Sequence, residues 1–167
     1  MHAISKMVTR VGDVIDRVMR ILSIIMLSAL VIVITLQVIF RFFFTAFSWS
    51  EEVSRFLLVY LSMFGAALAY RLGSHISIRL FHDKLSPKAA SAVGVVVTLL
   101  SILFFVLTII YSIELIARQQ YQVSGALRVP MQYIYLAIPI SISVMIIFAL
   151  EQLAKDVMAL KAGKETA

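Results

Sequence analysis

Four apolar runs separated by short polar segments set the pattern of this chain. They occupy about 21–40, 53–70, 89–113 and 131–150, each near the roughly 20 helical residues that a bilayer crossing takes. The pattern predicts an all-α integral membrane protein, one membrane domain over 1–167 with four transmembrane helices. Ahead of the first run, Ile4, Val8, Val11, Ile15 and Val18 recur at helical spacing, with Lys6, Arg10, Asp13, Arg17 and Arg20 on the other side. That describes an N-terminal basic amphipathic segment over 1–20, fit to lie on a leaflet or to run straight into the first span. Residues 151–167 form a polar tail.

The third and fourth runs depart from the simplest crossing. Residues 89–117 are interrupted only by Glu114, and as a helix they extend roughly 43 Å at 1.5 Å per residue. Such a helix must tilt or project beyond the membrane. Pro130 suits the first turn of the fourth span, whereas Pro139 lies inside it, removes a backbone hydrogen bond and predicts a kink. Between the second and third runs, residues 75–85 mix Ile76, Ile78, Leu80, Phe81 and Leu85 with polar positions. This reads as a short interfacial segment, helical or extended.

Charge marks both ends of the second span. Ser48 can act as N-cap with Glu51 three residues on, and Glu51 and Glu52 sit where the helix dipole favours negative charge. Arg55 follows one turn later, within pairing distance of both. At the far end come Arg71 and then Gly73, which supplies a natural helix stop.

Composition and charge sharpen this picture. Hydrophobic residues make up 62% of the 167 and charged residues 14%, which is far from the soluble norm. The net charge of +6 does not indicate nucleic acid, because the basic residues are scattered through short loops and no soluble module remains to bind it. Four crossings put both termini on one side. That side carries Lys6, Arg10, Arg17, Arg20, Arg71, Arg79, Lys84, Lys88, Lys155, Lys161 and Lys164, against Arg41, Arg55, Arg118 and Arg128 opposite. The positive-inside rule then makes the termini cytoplasmic. The chain has no cysteine, so disulfide and thiol chemistry are excluded. No small-residue cleavage site follows the first run, which reads as a retained span.

The span centres carry no charge. Thr35, Gln37, Ser62, Thr98, Ser101, Thr108, Ser141 and Ser143 are the main polar interruptions, and a Ser or Thr can bond its own helix backbone. A carrier places ionisable or ion-coordinating groups near mid-membrane, so this chain is poorly suited to form a substrate path alone. Haem would need histidines projecting into the bundle, yet His2, His75 and His82 lie outside the spans. No cofactor or metal site is expected. No nucleophile–base arrangement points to an enzyme, and adjacent Glu51 and Glu52 project roughly 100° apart on a helix, a poor geometry for a catalytic pair.

What remains is packing surface. Ser62/Ala66, Gly65/Ala69 and Ala90/Gly94 are small residues four apart, which permit close helix approach within this chain or with another. Phe40, Phe42, Phe43, Phe44, Phe47 and Trp49 crowd the outer end of the first hairpin, as an interfacial aromatic belt or a docking ledge.

The order of features around the second span carries a family resemblance. An aromatic (Trp49) precedes Glu51-Glu52-x-x-Arg55, an apolar run with Gly65-Ala66-Ala67 follows, and then Arg71-x-Gly73-x-His75-Ile76. This arrangement, with four spans, resembles the small membrane subunit of tripartite ATP-independent periplasmic (TRAP) transporters, the DctQ-like family. The resemblance implies a scaffold subunit in the bacterial inner membrane. It would brace a large multi-span subunit that carries organic acids on an ion gradient, sodium above all, with a periplasmic substrate-binding protein docking transiently and lipids around it. The motif residues Trp49, Glu51, Glu52, Arg55, Gly65, Arg71, Gly73, His75 and Ile76 carry over as structural or interface residues, with none catalytic. If the second and third spans pack together, Glu114 could join Glu51, Glu52 and Arg55 in one charge cluster; otherwise Arg55 pairs within its own helix. A self-contained small transporter and a membrane assembly or signalling protein are the alternative readings.

Overall fold

The computed structural model describes residues 2–43, 48–82 and 87–165, with side chains described for 9–43, 48–73, 89, 91–158 and 160. The expectations on Phe44 and Phe47, and on the side chains of His2, His75, Ile76, His82 and Ala90, lie outside the described residues.

The chain is all-α, and four of its segments are long and apolar enough to cross a membrane: Thr9–Phe43, Ser48–Gly73, Ser91–Arg118 and Met131–Met158. Helix α1 (His2–Phe43) is continuous, so the amphipathic segment runs into the first span without a break. Helix α2 (Ser48–His82) begins one residue earlier than the capping box requires, since Ser48 is already helical and Glu51 turns to Arg55. It also continues past Gly73, contrary to the expected stop. A glycine ends a helix by adopting left-handed dihedrals, and no described glycine has positive φ. In helical dihedrals Gly73 only weakens the helix, by about 1 kcal/mol relative to Ala. The stretch 75–82 therefore belongs to α2 and is not a separate interfacial element.

Helix α3 (Pro87–Arg118) has 32 residues, or roughly 48 Å at 1.5 Å per residue. After it, residues 119–130 form a compact loop with a single bridge between Val123 and Pro130. The predicted kink takes the form of an interruption: α4 (Met131–Tyr135) and α5 (Ala137–Glu165) are separated by Leu136. The cause is Pro139, which has no N–H to donate to Tyr135 four residues back. Leu136 keeps helical dihedrals (φ −59°, ψ −22°), so the chain continues onward through the break. The Tyr60 hydroxyl reaches across from α2 and donates to the Tyr133 carbonyl oxygen beside it, where helix-end carbonyls lack partners.

Helix α5 is the middle of the bundle. It packs broadly against α3 on one side and α2 on the other, while α1 lies mainly on α2. The core follows that order, with Met19 from α1, Phe64 and Ala67 from α2, Phe105 from α3, and Ile142, Met145 and Ala149 from α5. Tyr70 of α2 meets Phe105 of α3 edge to face at 5.1 Å, a favoured aromatic geometry. Long apolar faces of α1 (Ile21, Ile24, Ile25, Val31) and α3 (Leu99, Leu100, Leu103, Phe104) point outward.

Candidate functional site

Two polar levels lie along α2, one in its first turns and one beyond its middle, 19 residues apart from Glu52 to Arg71, or roughly 28 Å along the helix. That spacing nearly matches the roughly 30 Å hydrocarbon thickness of a bilayer.

At the Arg71 level three helices meet through charge. Arg71 Nη2 donates to Asp13 Oδ1 at 2.7 Å and to Glu151 Oε2 at 3.2 Å, and Nη1 lies 3.6 Å from Asp16 Oδ1. Lys155 donates to the other Glu151 oxygen at 2.8 Å, and Arg20 to Asp16 at 3.0 Å. The acids Asp13, Asp16 and Glu151 are thus balanced by Arg20, Arg71 and Lys155. The guanidinium also rests 5.1 Å from the centre of the Phe148 ring, within cation–π range. A planar guanidinium suits this place because it presents donors in several fixed directions at once. Gly12 completes the junction: a Cβ there would collide with Glu151 Oε2 and stand 3.1 Å from Arg71 Nη2, so a larger residue here requires the ion-paired carboxylate or the helix to shift.

Next to it, a second junction joins α3 to α5. Gln152 Nε2 donates to Asp156 Oδ1 at 2.9 Å, and Thr98 hydrogen-bonds the same carboxyl. A Cβ at Gly94 would stand 2.9 Å from Asp156 Oδ2. Thr98, Gln152 and Asp156 are all buried.

At the opposite level Glu52 organises the loop. Its carboxylate accepts from the backbone N–H of Ala126 at 2.7 Å and of Leu127 at 2.9 Å. Ser124 N–H donates to the Val129 carbonyl at 2.9 Å, and Val129 N–H returns to the Ser124 hydroxyl at 3.1 Å. Arg128 takes φ 53° to close the turn, a conformation uncommon outside glycine and Asn. The four-residue charge cluster is not formed. Arg55 pairs with Glu51 at 3.0 Å and Glu114 with Arg118 at 2.6 Å, each one turn along its own helix. At this end Glu52 of α2 meets the 126–127 loop, and the contact between α2 and α3 is small.

Among the other motif residues, Trp49 is partly exposed and Gly65 has open space around it. Ser62, Ala66 and Ala69 are exposed on the same helix, whereas Ala67 is fully buried. The small pairs on α2 therefore face away from this chain. The hydroxyls of Ser62, Ser101, Thr108, Ser141 and Ser143 bond carbonyls of their own helices, as expected; Thr98, turned to Asp156, does otherwise. Among the described residues no group of three or more His, Cys, Asp or Glu is placed to hold a metal ion.

Sequence reasoning identified Arg71 and Glu52 but missed their partners Asp13, Asp16, Glu151 and the 124–127 backbone. It also missed the Asp156 junction. The available signal was the pair of acids in an otherwise basic N-terminal segment, and Glu151 and Asp156 directly after the last apolar run.

The family model for the DctQ component of tripartite ATP-independent periplasmic transporters matches residues 30–159. The sialic acid TRAP transporter small permease protein SiaQ of Vibrio cholerae is 36% identical over 77 residues, 46% of this chain and 44% of that protein. A putative TRAP transporter small permease protein of Haemophilus influenzae is 33% identical over 82 residues, 48% of this chain and 51% of that protein. The match thus spans about half the length of these two relatives. The isethionate TRAP transporter permease protein DctMQ of Oleidesulfovibrio alaskensis is 26% identical over 138 residues, 77% of this chain but 22% of that protein.

Proposed function

This chain belongs to the DctQ component family of TRAP transporters, multi-pass proteins of the bacterial inner membrane, and from that premise we propose that it is a scaffold subunit bracing a large permease subunit. The observation that carries the reading is the DctMQ relative, in which the segment similar to this chain is 22% of one longer permease protein. A segment joined covalently to a larger permease works beside it, and a free chain of the same kind would do so as a separate subunit. The outward apolar faces of α1 and α3 and the open small-residue side of α2 support the reading, because small residues let a neighbouring membrane helix approach.

The large subunit moves the solute, with a periplasmic binding protein delivering it and a sodium gradient driving it. The solute class is organic acids such as C4-dicarboxylates or sialic acid. The termini and the Arg71 level face the cytoplasm, and the Glu52 level faces the periplasm. Among the described residues, the ion pairs that join different helices gather at the Arg71 level.

The test is purification of the chain from its native membrane in mild detergent, with its companions identified by mass spectrometry. A large polytopic partner at one-to-one stoichiometry is expected. Recovery of the chain alone, with solute uptake when it is reconstituted by itself, would support a self-contained transporter and overturn the scaffold reading. Orientation is tested separately in this cysteine-free chain. A cysteine placed at Gly125 should react with an impermeant maleimide from the periplasm, and one at the C-terminus should not.

A further inference from the structure

We propose that the outer side of α1 from Arg10 to Ile21 is a binding site for an anionic phospholipid, with Arg10 and Arg17 holding the headgroup and a strip of valines holding an acyl chain. The inference does not rest on the scaffold reading. Arg10 and Arg17 are seven positions apart, about two turns, which puts them on one side of the helix roughly 10 Å apart. Val14 sits between them, and Val11, Val18 and Ile21 adjoin it around the helix. All four apolar residues are about half exposed or more. On the opposite side of α1, Gly12 and Met19 meet the rest of the bundle.

Depth and charge together point to lipid. The Arg71 level, where Asp13 and Asp16 gather, stands about one hydrocarbon thickness from the Glu52 level. Arg10 precedes Asp13 by three positions and Arg17 follows Asp16 directly, so both stand where headgroup phosphates lie. The acids at this level are already matched: Asp13 and Asp16 accept from Arg71 and Arg20, and Glu151 from Arg71 and Lys155. Arg10 and Arg17 are exposed and, among the described residues, have no ion-pair or hydrogen-bond partner. They leave an excess of two positive charges beside the apolar strip. A guanidinium binds a phosphate through paired hydrogen bonds, and side chains lean toward the helix N-terminus, so Arg17 reaches back toward the headgroups while its stem stays on the strip. The strip consists of β-branched residues with no small one among them. It does not admit the close backbone approach that the small-residue side of α2 offers a neighbouring helix, and it leaves that side to such a partner.

The test moves the single tryptophan of the chain to the inner end of the strip, as Ile21→Trp with Trp49→Phe in the full chain. The protein is reconstituted into phosphatidylcholine vesicles containing a minority of phosphatidylglycerol, with dibrominated acyl chains on one lipid or the other, so that quenching reports which lipid touches the strip. Phosphatidylglycerol should be preferred by about fivefold or more over its share of the bilayer, the effect of one basic residue or more at an anionic surface. Adding Arg10→Gln and Arg17→Gln should bring the preference close to one, whereas Arg10→Lys and Arg17→Lys should keep most of it. Both arginines are exposed, so these variants should keep the parent melting midpoint. Arg41→Gln, at the other end of α1, should leave the preference unchanged. Quenching by the two lipids in proportion to their abundance overturns the proposal, and a preference that survives the double Gln variant overturns the role of the two arginines. Weak quenching by both lipids would show protein covering the strip, which also overturns it.

Discussion

Arg71 and Glu151 stand 80 positions apart in the chain and share an ion pair in the interior, Nη2 to Oε2 at 3.2 Å, with side-chain exposures of 12% and 4%. Because Arg71 also holds Asp13 and Asp16, one side chain ties α1, α2 and α5 together. Removing it leaves Glu151 with Lys155 as its remaining cation. Breaking a buried pair by deleting one partner costs about 3–5 kcal/mol, and the partial exposure of Asp13 places this case at the lower end. Arg71→Ala should lower the thermal midpoint in detergent clearly. Arg71→Lys should recover little of it, because a point charge does not reach three carboxylates in fixed directions. Full recovery with Lys would mean that charge alone matters.

Gly12 tests the same junction by shape. Gly12→Ala puts a methyl group into the space of the Glu151 carboxylate, which two cations hold in place. Overpacking costs typically about 1–3 kcal/mol. The expected result is a lower midpoint together with a wider α1–α5 separation between spin labels. An unchanged separation would show that the carboxylate gives way without moving the helix.

Glu52 is expected to act locally. Glu52→Ala frees the Ala126 and Leu127 N–H groups, so hydrogen exchange should speed up across 124–129 while the helix cores keep their protection. Loss of protection throughout the bundle would give Glu52 a wider role. Glu52→Gln keeps one acceptor oxygen and should fall between the wild type and Ala.

The interruption before Pro139 supplies a further check. Tyr60→Phe removes the donor to the Tyr133 carbonyl and should cost about 1 kcal/mol, the net worth of a typical hydrogen bond. Pro139→Ala restores an N–H that faces the Tyr135 carbonyl and not the Tyr133 carbonyl, so the two effects should add in the double variant. A clearly smaller loss in the double variant would show that the break sets the tyrosine contact.

The apolar periods were enough to place four spans, because crossing a bilayer requires a length and a polarity that a single segment displays by itself. The motif around the second span contains one residue of each polar level, Glu52 and Arg71. The contacts each motif residue makes were less legible. Arg55 and Glu114 have compatible charges at one end of the bundle, but α2 and α3 make little contact, so each found a partner on its own helix. Arg71 found Asp13 and Glu151 because α1 and α5 approach α2 there, a matter of helix packing that periodicity does not encode. Gly73 shows the same limit locally: glycine permits a helix to stop, and the chain beyond it decides whether it does.

The central place of α5 has a biosynthetic side. A chain emerges N-terminus first, so α1 and α2 are both in the membrane early and can pair at once. α3 finds its main neighbour only after the last span is made. At about 5–20 residues per second, the 40 positions from Arg118 to Met158 take roughly 2–8 s. During that interval α3 is held by lipid and by whatever insertion machinery surrounds it, so a ribosome stalled before α5 would leave a loosely associated set of helices for membrane proteases to find.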